Sequence, residues 1–382
     1  MAVVESARWP VGGPLRYLLM AGHVPADGGG GGIVRYTLEL ASALAQRADD
    51  VRLHLGVNTG AVEYIRDTFP TASVHPVQKR TGGLAILDEH LAGLAPFGRQ
   101  IGAPVDIVHS VKHIAPLFTR GARSVLTVHD MLIVDRPLDY SRNKRLLLKV
   151  PYALSLTRAN LLICVSDATR QRLLSYYPEL ERRAVVVPLA ASPRMLESQG
   201  EPVPALDGRT FGVVVGDGLA RKNLAFLGAV WHRLTRTRPD LVLAVVGSGA
   251  AGLPELSAQW RELLAEGTAM ALPRISDDVL AWCYRNTAVA LCPSYMEGFG
   301  LPAAEAAAAG APVVVSEDPA LSAAAPASAL RAASWDVDSW VTAIEKVLAG
   351  EGCAAPEPAP VRRWADVADE TISAIRTRCR PT

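Results

Sequence analysis

Glu297 and Glu305 stand with seven residues between them in CPSYMEGFGLPAAEAAAAGAPVVVSE, residues 292–317. Gly298, Phe299 and Gly300 follow the first glutamate, and Leu301 and Pro302 open an Ala-rich run that carries the second. Apolar runs, AVALCPS and APVVVS, bracket the whole, so the stretch reads as strand, Gly-rich turn, short helix, strand. Pro302 suits the first turn of a helix, where its missing N–H costs nothing. The unpaired amides of a helix N-terminus are a natural seat for phosphate. A carboxylate one or two turns further on is then placed to accept hydrogen bonds from a ribose diol, the role acidic residues take in other nucleotide folds. That is chemistry for Glu305. Glu297, ahead of the turn, would face whatever extends beyond a second phosphate. One glutamate on a helix is ordinarily a solvated side chain; two bracketing Gly-Phe-Gly between apolar strands are harder to read that way.

Other residues join this pattern. Arg221 and Lys222, in VVVGDGLARKNL, occupy a strand-to-helix turn; a guanidinium fork and a compact ammonium both suit a diphosphate. An exposed basic turn is the plainer alternative. His129 ends the strand in LTVHDM, and Asp130 either fixes its tautomer or caps the next segment. His109 and His113 are weaker candidates. The Gly28–Gly32 run precedes a helix and fits close backbone approach to a ligand, or a loose surface loop. Three motifs organise nothing else in the chain. GSGAAG (247–252) fits GxGxxG without a convincing acidic partner downstream, and reads as a tight strand-end turn. YSRNK (140–144) fits the Tyr-x-x-x-Lys pair of short-chain dehydrogenases. DVD (336–338) precedes helical sequence and reads as an N-cap rather than a metal site.

These residues need elements to position them. PLRYLLMAGHV reads as a first strand, IVRYTLELASALAQR as an amphipathic helix and VRLHLGVN as a second strand; VDIVHS, SVLTVHDM and LLICVSD follow as short apolar strands. The segment 190–208 is rich in Pro, Ser and Gly and reads as a linker. Alternation then restarts with TFGVVVGDG, RKNLAFLGAVWHRL, LVLAVVGSG, VALCPS and APVVVS. EGCAAPEPAP (351–360) reads as a second linker before a final helix, RRWADVADETISAIRTR. Strands alternating with helices predict parallel sheets covered on both faces, with ligands beyond the strands' C-terminal ends. Two such halves facing each other would leave a cleft between them.

The 382 residues accommodate two domains, and 49% hydrophobic with 20% charged residues is an ordinary globular composition. A formal net charge of +1 argues against a general electrostatic grip on nucleic acid. Cys164, Cys283, Cys292, Cys353 and Cys379 show no CxxC spacing, so neither a disulfide framework nor a zinc site is expected. No apolar run approaches the roughly 18 residues of a membrane span, and no leader pattern opens the chain. The expectation is a cytoplasmic protein, with peripheral contact at the inner membrane face left open.

From about residue 15 to 380 the chain resembles the retaining glycosyltransferases of family 4. EGFGLPAAEAAAAGAPVVVS is similar to that family's E-x7-E signature; VGDGLARKNL, LTVHD, ICVSDATRQRL and GGGGGIVRYTLELASAL resemble its other segments in the family's order. The resemblance implies an α/β, GT-B architecture: two Rossmann-like, doubly wound parallel-sheet domains facing across a cleft. Residues 1–192 would form the acceptor-side domain, 207–363 the nucleotide-sugar domain, and 364–382 a helix crossing back to the first. It implies transfer of a sugar, mannose or another hexose, from a nucleotide diphosphate sugar, with retention, without metal and without further cofactor. Carried over, Arg221 and Lys222 would neutralise the departing diphosphate, and Glu305 would hold the ribose hydroxyls. Glu297, with the amides of Phe299 and Gly300, would grip the donor sugar beside Gly298 and Leu301. His129 would contact that sugar from the N-terminal side, and Gly31 and Gly32 would approach the phosphates. The acceptor is left open as a lipid, a glycan or a small natural product.

The chain departs from the family pattern in two places. Asp217 follows Gly216 where many members carry Arg, and EDPALSAAAPASAL lacks the usual proline–glutamate segment. Two rival readings stand beside the resemblance. One is a short-chain dehydrogenase binding NAD(P). The other is a non-catalytic, membrane-docking GT-B protein, for which Arg136, Arg142, Lys144, Arg145, Lys149 and Arg158 would meet an anionic bilayer.

Overall fold

The computed structural model describes residues 13–77, 104–116, 119, 121–137, 142–273, 275–351 and 362–379, with the side chains of Asn143, Lys144, Leu146 and Leu147 excepted. The linker expected at 351–360 lies almost wholly outside them, as do Tyr140 and the Lys144 side chain of the dehydrogenase motif. The chain divides into two compact units, residues 1–189 with 364–382, and residues 190–363.

In the first unit, β1 (Leu15–Ala21), β2 (Val51–Asn58), β3 (Ser73–Val77), β4 (Ile107–Ser110), β5 (Arg123–Val128), β6 (Leu161–Cys164) and β7 (Ala184–Val186) form a sheet in the order β3-β2-β1-β4-β5-β6-β7. In the second, β8 (Phe211–Val215), β9 (Val242–Val246), β10 (Ala269–Leu272), β11 (Val289–Cys292), β12 (Val313–Ser316) and β13 (Leu330–Ala332) run β10-β9-β8-β11-β12-β13. All these pairings are parallel. The strand order reverses direction between β1 and β4, and again between β8 and β11. In an open α/β sheet that is where adjacent crossovers diverge to opposite faces and leave a crevice.

Consecutive residues of a strand point to opposite faces, so each strand supplies two cores. In the second unit Val214, Leu243, Val245, Leu291 and Val314 pack under the helices Leu224–Thr235 and Val337–Leu348. Val213, Ala244, Val246, Ala290 and Val315 pack under the helices Asp277–Asn286 and Leu301–Ala308. Burial on both faces explains why these strands read as unbroken apolar runs.

The segment 190–208 is not a loose linker. Pro193–Glu197 forms a short helix, and Met195 and Leu206 are fully buried in the core of the second unit. Arg285, on the helix Asp277–Asn286, donates to the carbonyls of Met195 at 2.9 Å and Leu196 at 3.1 Å, and to that of Ser198. The Pro/Ser/Gly content that suggested a linker serves this strap, which turns sharply at Gly200 and lies flat on its helix. At the other end of the chain the helix Trp364–Arg378 belongs to the first unit. Its Asp369 pairs with Arg47 at 2.5 Å, Arg376 with Asp50 at 2.6 Å, and Trp364 meets Tyr36 edge-on.

Leu206→Ala is expected to lower stability by about 2–5 kcal/mol, read as a fall in the denaturant midpoint. A loosely attached linker would change it by less than about 0.5 kcal/mol.

Candidate functional site

The switch point of the second sheet collects the charged residues singled out in the sequence. After β8 the chain makes a single 3-10 turn, Ala220–Lys222, and enters the helix Leu224–Thr235 through Asn223. Asn223 has φ +56°, a left-handed conformation that Asn tolerates better than most residues. After β11 the turn Pro293–Phe299 leads to Gly300, whose φ of +97° starts the helix Leu301–Ala308 with Pro302 in its first turn. A Cβ on Gly300 would come within 2.8 Å of Leu321, so both conformation and space require glycine. The two turns are stitched together by the Tyr295 amide, which donates to the Arg221 carbonyl at 3.1 Å.

Glu297 lies between two cations. Arg221 Nη1 donates to Oε2 and Lys222 Nζ to Oε1, each at 2.7 Å. Glu297 is 8% exposed and Lys222 9%. Burial alone would push the Glu297 carboxyl up; Lys222 and Arg221, with a hydrogen bond from Ser294, outweigh it and hold it below the usual carboxylate range. Asp217 adds a second anion, its Oδ2 lying 3.5 Å from Arg221 Nη2. The four side chains thus sum to zero charge, and Asp217 is a partner of Arg221 itself. The i, i+4 spacing of Asp217 and Arg221 was the signal for this pair; nothing in the sequence announced Glu297 as the shared counter-ion.

Glu305 is buried at 3% exposure, so it is not a solvated helix side chain. It joins the cluster electrostatically. The Cys292 thiol at the end of β11 is pushed up to about 12 by burial, with Lys222 opposing and Glu297 and Glu305 adding to the rise. Arg221, Lys222 and Glu297 are thus brought together at the β8/β11 switch point, and Glu305 is buried on the helix Leu301–Ala308 that follows the same turn.

His129, Gly31 and Gly32 belong to the first unit. His129 follows β5, and its Nε2 donates to the Val111 carbonyl at 3.0 Å, which fixes the tautomer. Asp130 has the other task considered for it: its Oδ1 accepts from the Leu132 amide at 3.0 Å and caps the segment that follows. The His129 ring stands edge-on to Tyr36 at 4.9 Å, on the helix Gly32–Ala45. Gly31 is that helix's N-cap, and a Cβ there would meet nothing within 4 Å. Burial lowers His129 to about 4, so the ring is neutral at pH 7. His109 is a core residue, lowered by burial to about 3 and hydrogen-bonded to Tyr17 and, at 2.7 Å, to Thr127. Thr127 in turn meets the Tyr36 hydroxyl at 3.0 Å. Tyr36, which the sequence reading passed over, thus links the His109 network to the His129 ring. His113 stands 3.9 Å from Asp130.

GSGAAG is a strand-end turn, with Gly247 at φ +108° before a 3-10 turn. Asp336 caps the helix Val337–Leu348 by accepting from the Ser339 amide at 3.1 Å. After Ser316, Asp318 caps the helix Pro319–Ala324. Cys164, Cys283, Cys292 and Cys379 are buried free thiols. Among the described residues no group of three or more His, Cys, Asp or Glu is placed to hold a metal ion, and no helix is long and apolar enough to cross a membrane.

Glu297→Ala leaves the Lys222 ammonium buried without its counter-charge and is expected to cost about 3 kcal/mol in the ligand-free protein. Lys222→Met in the same chain should recover part of that loss, and equal midpoints for the single and double variants would refute the coupling. His109 and His129 have folded pKa values below their ordinary 6.5, so the unfolded chain takes up protons first on acidification. Their contribution to stability is whole above pH 6.5 and is lost progressively as the pH falls through about 4 for His129 and about 3 for His109, which urea titrations across that window will read.

Comparison with known proteins agrees with the fold. Residues 30–195 match the family described as Glycosyltransferase Family 4, and residues 201–359 match Glycosyl transferases group 1. O-antigen chain mannosyltransferase B of Escherichia coli is 29% identical over 206 residues, which span 51% of this chain and 53% of that one. D-inositol 3-phosphate glycosyltransferase of Nocardia farcinica is 27% identical over 85% of this chain and 78% of its own. Among solved structures, Anabaena HepE in complex with UDP and glucose superposes with a TM-score of 0.72 at 14% identity, covering 95% of this chain and all of that one. Two parallel Rossmann-like sheets, family matches in both halves and relatives that are glycosyltransferases place the chain among the family 4 glycosyltransferases of GT-B fold, and it is an enzyme of that class.

Proposed function

We propose that the protein transfers a hexose from a nucleotide diphosphate sugar to an acceptor hydroxyl, with retention at the anomeric carbon and without a metal ion. The observation that carries this reading is the buried Arg221–Glu297–Lys222 cluster at the switch point of the second sheet. A carboxylate that binds both cations holds them side by side, so that they can meet a diphosphate with no reorganisation of their own. Lys222 and Arg221 stabilise the charge that develops on the leaving phosphate. Glu305 accepts from the ribose hydroxyls, and the Gly298–Gly300 turn with Leu301 lines the donor through its backbone. Glu297 serves twice, as counter-ion to the cations and as acceptor for donor-sugar hydroxyls. His129, neutral and oriented by Val111, acts as a hydrogen-bonding contact to the donor sugar rather than as a charge. Gly31 and Gly32 offer helix-start amides where added side chains would have obstructed a phosphate. The acceptor hydroxyl attacks on the face from which the phosphate departs, and a phosphate oxygen takes its proton.

A nucleotide-sugar donor has support from HepE, a structural neighbour in complex with UDP and glucose. Mannose as the donor sugar is suggested by the Escherichia coli mannosyltransferase, and D-inositol 3-phosphate as an acceptor by the Nocardia relative. Family matches in both halves of the chain leave neither the dehydrogenase nor the non-catalytic reading favoured. A membrane-borne acceptor has support of its own. On the helix Arg142–Arg158, Val150 and Leu154 are exposed one turn apart beside Lys149 and Arg158, a surface suited to an anionic bilayer. Sedimentation with phosphatidylglycerol vesicles at low salt, reversed at high salt, is the expected behaviour; no sedimentation at low salt would refute it.

The donor is tested by thermal unfolding with chelator present, against UDP, GDP, ADP, dTDP, their common sugar conjugates and NADP. One nucleotide sugar at 100 times its dissociation constant should add about 2.7 kcal/mol. Lys222→Ala should abolish the shift, and Glu305→Ala should weaken nucleotide binding by about ten-fold or more with the fold intact. A shift with NADP alone, or with no nucleotide, sinks the reading.

A further inference from the structure

Trp335 is out of keeping with every other described tryptophan. Trp231, Trp260 and Trp340 are fully buried, and Trp282 and Trp364 nearly so, whereas Trp335 is 58% exposed. It also has φ +68°, and among the described residues only Asn223 shares a left-handed backbone without being glycine. Asn adopts that conformation readily; a bulky aromatic does so under strain. The turn around it is tightly determined. The Ala333 amide donates to Ser339 Oγ at 3.0 Å, the Asp336 amide to the Ala333 carbonyl at 3.3 Å, and Asp336 caps the next helix. Glycine would satisfy the same turn without strain and without leaving an indole in water, so the backbone conformation does not account for the residue.

The indole is nevertheless held firmly. It stacks on Tyr295 with ring centroids 5.5 Å apart and planes 29° apart, and meets Phe226 edge-on at 5.8 Å. Phe226 in turn meets the buried Trp340 edge-on at 6.2 Å, which anchors the group to the core. An aromatic plate that is backed on one side, fixed in orientation and open to water elsewhere is a surface for a flat, partly apolar ligand. Its position narrows the choice. Tyr295 stands two positions before Glu297, and its amide donates to the Arg221 carbonyl, so the plate is joined directly to the charged turns. Trp335 follows β13, the edge strand two places from β11, and so meets Tyr295 on the same rim of the sheet that carries the charged turns. In a chain of the glycosyltransferase family the flat ligand to consider is a sugar ring, since a pyranose presents a face of C–H groups that lies flat on an indole.

We infer that Trp335, backed by Tyr295 and Phe226, is a carbohydrate-stacking subsite that takes a pyranose ring of a saccharide acceptor, outside the donor seat. The inference rests on membership in the glycosyltransferase family and not on the donor assignment.

Saturation-transfer NMR tests it on the whole protein, with methyl α-D-mannoside, methyl β-D-glucoside, mannobiose and cellobiose as probes at millimolar concentration. Transfer to the ring protons of at least one probe is expected. Trp335→Tyr should keep it, and Trp335→Gly should reduce it about five-fold, the scale of one aromatic contact. The thermal midpoint of Trp335→Gly should equal or exceed that of the native chain, because glycine suits the backbone there. Its nucleotide-induced shift should be unchanged, which separates this subsite from the donor seat. Absence of transfer to the native protein, equal transfer to Trp335→Gly, or a dimer in sedimentation that Trp335→Gly dissolves would each overturn the inference.

Discussion

The arrangement depends on a single electrostatic constraint, that a carboxylate buried at the end of a parallel strand must be compensated. Glu297 sits where β11 stops, behind Pro293 and Ser294 and against the apolar end of the sheet. Left alone there it would be protonated or would disrupt the turn. Arg221 and Lys222 come from the turn after β8, and the strand order makes the two turns neighbours although 74 residues separate Lys222 from Glu297. The ion pairs, the Tyr295–Arg221 backbone bond and the Ser294 hydroxyl then hold both crossovers in one arrangement. A preformed pair of cations follows from that structural need, and diphosphate chemistry makes use of it.

The first unit solves a different problem, keeping polar rings uncharged. Tyr17, His109, Thr127 and Tyr36 form a chain of hydrogen bonds through the core, ending at the edge contact of Tyr36 with His129. Each ring is buried far enough to keep its charged form out of reach at neutral pH. The gain is orientation. His129 has its tautomer set by Val111 and its plane set by Tyr36, and Tyr36 is braced by Trp364 from the closing helix. Residues from the far end of the chain thereby stiffen the C-terminal end of an interior strand, β5, in the first sheet.

Much of this was readable from the order of residues. Strands buried on both faces show as apolar runs, and the central strands of both sheets were found that way. The four that escaped, β3, β7, β10 and β13, are the edges. An edge strand is paired on one side only and half exposed, so it needs few apolar residues and tolerates Pro76 in β3. The linker reading of 190–208 failed for a related reason: composition registers Pro and Gly but does not register that Met195 and Leu206 find a helix to lie on.

Sequence alone determined the alternation of elements, the glycine and proline punctuation around Glu297 and the cations after β8, because these rest on local conformational preference and on apolar periodicity. Only the tertiary structure decided that Arg221 and Lys222 share Glu297, that His129 takes its tautomer from Val111 rather than Asp130, and that Trp335 is held open on Tyr295. Those outcomes depend on distances between residues remote in the chain, and such distances are set by strand order and packing together.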